Sequence, residues 1–153
     1  MISQLIETWQ IHNRINLYLL ASVDEVFLND HSASKGRDVA HQFAHLHNVR
    51  LMWLKEAAPQ LMATLSKIEN EQLITKEFLH HALSESSLAI EQLIEIGLVA
   101  GKIKGFKPHP VAFVGYLISH ESHHRGQIVL SLKQSGHSPD RKTLFGLWEW
   151  GVR

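Results

Sequence analysis

The chain has 153 residues, 44% of them hydrophobic, which suits one domain with a substantial core. Its 15 Lys and Arg balance 15 Asp and Glu, so no basic excess exists to neutralise phosphates and nucleic acid is excluded as an expected partner. Cysteine is absent, which removes disulfides, thiolate nucleophiles and cysteine-held zinc together, whereas histidine is abundant at 12.

From Ile2 to about Phe27, the apolar residues Leu5, Ile6, Trp9, Ile15, Leu19 and Val23 recur mostly at three- and four-residue steps. Neither Pro nor Gly interrupts them, so the spacing predicts a long amphipathic helix. The same N-terminal segment lacks the basic-then-apolar order of a signal peptide, and no stretch of the chain is apolar for long enough to span a membrane. A cytoplasmic location is the expectation. The run His12-Asn13-Arg14 with Asn16 is polar within this apolar helix, and reads either as one wall of a pocket or as a solvated face.

Residues 28–36 are polar and form a predicted loop. A second helix is expected from about Arg37 to Ala57, carrying Val39, Phe43, Leu46, Val49, Met52 and Trp53, with Pro59 just beyond its end. A short helical turn around Leu61–Leu65 and a loop over 66–70 follow. The third helix is expected over roughly Leu73–Ile96, with Gly97 or Gly101 as its cap. Residues 101–109 are too broken for helix.

Pro110 suits a first helical position, where its missing N–H costs nothing, so the fourth helix is predicted from Pro110 to about Gln134 with Gly136 as its stop. The remaining tail clusters Leu144, Phe145, Leu147, Trp148 and Trp150, and should pack as a short helix or turn. No strand-like alternation appears. The predicted fold is all-α, an antiparallel four-helix bundle of one domain over residues 1–153, with a short C-terminal helical tail.

The sharpest local signal is His120-Glu121-Ser122-His123-His124-Arg125-Gly126-Gln127. At about 100° per residue, positions four apart lie only ~40° apart on a helix, so His120 and His124 project from one face and can hold one metal ion. The steps Phe113, Leu117, His120, His124, Gln127 and Ser131 place that pair on the inward seam, with Glu121 and His123 on its shoulders. Gln127 lies close enough to that face for a supporting hydrogen bond, Gly126 would allow close helix approach, and Arg125 reads as an interhelical or surface residue. A third ligand must come from another helix, and the second helix offers His41, His45 and His47, among which spacing does not choose.

The helix-two pattern His45-Leu46-x-x-Val49-x-x-x-Trp53 and the helix-four run resemble the DinB-like (damage-inducible, YfiT-related) metalloprotein family. Ala112–Leu117 and Gly146–Trp150 resemble it too, so the likeness spans essentially the whole chain. The resemblance implies a four-helix bundle whose metal is held by three histidines, here His45, His120 and His124, with His41 and His47 as fallback positions. It also implies a homodimer, and an enzyme that uses a low-molecular-weight thiol with a second small-molecule substrate. Three imidazoles suit a divalent transition metal, zinc or nickel foremost, with iron and manganese compatible.

A metal-dependent thiol S-transferase is the leading functional expectation. Because His120, Glu121 and His124 also match His-Glu-x-x-His, a hydrolase using metal-bound hydroxide with Glu121 or a pocket histidine as base is the alternative. A non-enzymatic, stress-related metal-binding protein is the third. With ordinary imidazole pKa values near 6.5, metal affinity should be flat above about pH 7.5 and fall steeply below about pH 6.

Overall fold

The computed structural model describes all residues 1–153, and every long element in it is helical. The four long helices are α1 (Ile2–Ser22), α2 (Val39–Ala57), α3 (Lys76–Ala100) and α4 (Pro110–Gln134), followed by the short α5 (Arg141–Gly146). Residues Glu25–Phe27, Pro59–Met62 and Trp150–Val152 form single tight helical turns. No helix is long and apolar enough to cross a membrane.

Local chemistry sets the boundaries. Asp38 caps α2 by accepting from the His41 N–H, and Thr75 caps α3 by accepting from Phe78 N–H. Pro110 opens α4 as expected. The first helix is shorter than expected, because the chain turns extended at Val23 and Asp24 then caps the Glu25–Phe27 turn. The third helix starts and ends later than expected. Gly101, in the left-handed conformation, is its cap, while Gly97 lies inside it, where a Cβ would collide with Ile103.

Helix α1 packs on α3 and α4, and α2 packs on the same two, so α1 and α2 face each other across the core. The residues 23–38 thus carry the chain across the bundle rather than back beside α1.

The apolar interior is in two parts. One cluster gathers Leu19, Leu20, Phe43, Leu46, Leu79, Leu83 and Ile128, and the other gathers Trp9, Leu51, Leu54, Ile90, Leu93, Phe113 and Leu117. Between them lies a layer of buried polar side chains: His12, Asn13, Asn16, Arg50, Ser86 and Glu121. The Arg50 guanidinium donates to both carboxylate oxygens of Glu121, at 2.7 and 2.8 Å, and also to Asn13 Oδ1, Ser86 Oγ and the Leu83 carbonyl. His12 Nε2 at 2.9 Å and Asn16 Nδ2 at 2.8 Å complete the donors around Glu121. Every strong donor and acceptor of this layer has a partner, the condition under which burying charge is tolerable.

This layer corrects two expectations. The polar run of α1 is neither a pocket wall nor a solvated face: His12, Asn13 and Asn16 are buried, and only Arg14 is exposed. On α4 the centre of the buried face runs through Leu117, Glu121, His124 and Ile128, so Glu121 points inward and His120 sits at the edge, half-buried.

Candidate metal centre

Three imidazoles converge where α2 meets α4. Ligand nitrogens of His45, His120 and His124 all lie within 4.8 Å of one another. The ring of His45 stands 5.3 Å from that of His120 and 4.5 Å from that of His124, and the two α4 rings are 4.7 Å apart. The one-turn spacing on α4 stacks its pair on one edge, and His45 on α2 faces them.

The rings are held for the task. His124 Nδ1 lies 2.7 Å from Gln42 Oε1 and donates to it, which fixes the tautomer and leaves Nε2 with a free lone pair. Gln42 in turn donates to Gln127 Oε1 at 3.0 Å, so α4 positions its own ligand through α2. Gln127 is therefore a supporting residue, as its place near the face suggested. The Nδ1 of His120 is buried without a hydrogen-bond partner. Buried ring nitrogens ordinarily find partners, and a metal ion supplies one. The donor set, three imidazoles with no carboxylate among them, suits a borderline ion such as zinc and leaves a coordination position open.

Electrostatics favour the neutral, metal-competent form. Burial, with Arg37 and His120 nearby, lowers the His45 pKa to about 4. Burial and the neighbouring His45, His120, His123 and Arg37 lower His124 to about 4 as well. His120 is also lowered, mainly by burial and against the opposing pull of Glu121. Protons compete for these nitrogens in the folded, metal-free protein, so the folded-state values govern the pH dependence of affinity. We expect the loss of affinity to set in at lower pH than ordinary imidazoles would give, rather than between about pH 7.5 and pH 6. Competitive chelator titration from pH 4 to pH 8 checks this, and a midpoint near the ordinary imidazole value of about 6.5 would contradict it.

The other histidines are engaged elsewhere. The ring nitrogens of His47 lie 3.0 Å from the Ala82 carbonyl and 2.9 Å from the Ser66 carbonyl. His41 pairs with Asp38 at 2.6 Å. His123 is exposed, within 3.1 Å of Gln127, and His31, His80 and His81 face solvent. Arg125 bridges α4 to α1 by donating to Asn16 Oδ1 at 2.6 Å, while Gly126 meets nothing, so it permits no close helix approach.

The spacing of the histidines did not disclose Gln42, Arg50 or the commitment of Glu121. For Arg50 a signal existed: it stands on the apolar stripe Phe43, Leu46, Arg50, Leu54, where a charge demands a buried partner. Beside the triad, Trp53, Phe106, Phe113 and Tyr116 form an aromatic cluster that reaches His120 through Tyr116.

Comparison with curated proteins finds no match. The family comparison does: a DinB family model matches residues 1–150, nearly the whole length and all four long helices. Together with the three-histidine group this allows metal binding, and the chain belongs to the DinB family.

Proposed function

We propose that the protein is a metal-dependent S-transferase that joins a low-molecular-weight thiol to a small electrophilic substrate, built on an antiparallel four-helix bundle and acting as a cytoplasmic homodimer. The observation that carries this reading is a triad of three neutral imidazoles, with no carboxylate or cysteine among its donors, in a chain that has no thiol of its own. A divalent ion held there would favour the thiolate form of a bound thiol and so supply the nucleophile at neutral pH.

The protein's own residues do the rest. His45, His120 and His124 would hold the ion, and Gln42 keeps the His124 ring in register. The aromatic cluster around Tyr116 offers an apolar wall for the electrophile. In the reaction the thiol proton goes to water, the sulfur lone pair forms the bond to carbon, and the leaving group departs with its electron pair. The exposed Phe145 and Trp148 of the tail suit burial against a second copy, and light scattering giving twice the chain mass would agree.

The hydrolase reading loses Glu121 as its base. Glu121 accepts from Arg50, His12 and Asn16 inside the core, and burial is outweighed there by the Arg50 charge and hydrogen bonds, which hold its carboxyl far below the usual range.

The test is conjugation of small thiols with 1-chloro-2,4-dinitrobenzene by zinc-, nickel- or manganese-loaded protein. We expect turnover that needs both thiol and metal and stops on chelation. Thiol-independent ester hydrolysis by the loaded protein, without conjugation, would overturn the reading.

A further inference from the structure

A cleft of about 800 Å³ opens on the α2 side of the triad, with the ligand His45 in its wall. Its charged lining is Arg37, Lys67, Asp38 and His41. The acid is already used: Asp38 caps α2 and pairs with His41. Lys67 shares only a solvent-exposed pair with Glu69, at 3.2 Å, a contact that contributes little.

Arg37 is different. No carboxylate pairs with it, it is exposed, and it lines the same cleft as the ligand His45. It also borders a second, smaller hollow lined by Ser34, Lys35, Gln42 and Gln127. The two residues before it, Lys35 and Gly36, both have positive φ, so the chain turns tightly just ahead of Arg37.

An unpaired guanidinium beside a divalent cation adds repulsion unless something negative comes between them. A guanidinium presents a fork of N–H donors that matches an oxyanion. We infer that this cleft is an oxyanion subsite, in which Arg37, assisted by Lys67, holds the carboxylate of a substrate whose other end reaches the metal. The inference rests on the thiol reading in one respect: it makes the thiol cosubstrate an anionic one.

The test is calorimetric binding to zinc-loaded protein at pH 8, using two probe pairs that differ only in charge. The thiol pair is 3-mercaptopropionate and 3-mercaptopropionamide, and the hydroxamate pair is succinic monohydroxamate and its amide. Attraction to the metal alone favours both carboxylates, so the decisive quantity is how much of that preference depends on Arg37. We expect the carboxylate preference to fall about tenfold in Arg37→Gln and to be partly kept in Arg37→Lys, with zinc stoichiometry unchanged. An equal preference in wild type and Arg37→Gln overturns the subsite, even if both thiols bind. If the thiols fail to bind but the hydroxamates show the Arg37-dependent preference, the subsite stands and the thiol reading falls. If no member of either pair binds, both fall.

Discussion

Glu121→Ala is expected to cost about 3–5 kcal/mol of folding stability, because it leaves the Arg50 guanidinium buried without its counter-charge. Both side chains are almost wholly inaccessible, and the substitution also orphans His12 and Asn16. Arg50→Ala should cost a similar amount from the other side. The double variant Arg50→Met/Glu121→Leu should recover part of the loss, since two apolar side chains replace two charges, but not all of it, because Asn13 Oδ1, Asn16 Nδ2 and His12 Nε2 lose the charged partners they have in wild type.

The pH dependence follows the same logic. Glu121 is held well below its ordinary value by Arg50 and His12, against the effect of burial, so the unfolded chain binds the proton more readily. Its contribution is complete above about pH 5 and is lost as pH falls through the acid range. Urea midpoints at pH 7 and pH 3.5 should therefore differ more in wild type than in Glu121→Gln. A Glu121→Ala loss under about 1 kcal/mol would mean that the buried pair does not form as described.

The second large effect concerns the ligands. His45→Ala, His120→Ala and His124→Ala should each abolish stoichiometric metal binding, measured by metal analysis after gel filtration of untagged protein. His123→Ala should keep it, because that ring is exposed and turned to Gln127. His47→Ala should keep it too while losing stability, since its ring nitrogens face the carbonyls of Ala82 and Ser66 inside the core. Gln42→Ala is expected to fall between these classes, weakening the metal by about 10–100-fold through the freed His124 ring. Retention of full affinity in His45→Ala would show that α2 contributes no ligand at this position.

Much of this was legible in the sequence because it is local. Pro110 and the apolar steps after it gave α4 its observed bounds, and the four-residue spacing of His120 and His124 placed both rings on one edge. The choice of His45 came from family likeness rather than spacing, and the structure brings that residue to the α4 pair. What could not be read is what depends on pairing across helices. Leu117, His120, His124 and Leu117, Glu121, His124 are both acceptable helical seams, and only the partner on α2 decides between them. Arg50 draws Glu121 inward and thereby turns His120 to the edge, where it can meet His45. The crossing of residues 23–38 over the bundle is likewise invisible to periodicity, which says which face is apolar but not what covers it.

The polar layer between the two apolar clusters has a consequence for how faithfully the chain assembles. A bundle lined only by Leu and Ile tolerates sliding, because one leucine accepts another's place at little cost. Here a slip of α4 by one turn, about 5.4 Å along its axis, would move Glu121 out of reach of Arg50 and toward Leu46 of α2 in one direction or Leu54 of α2 in the other, each in an apolar cluster. Each mismatched arrangement strands a charge in hydrocarbon, so axially misaligned forms are raised in energy relative to the native alignment. The layer works as a keyway, admitting one axial alignment of α1, α2 and α4, and that alignment is the one that sets His45 opposite His120 and His124.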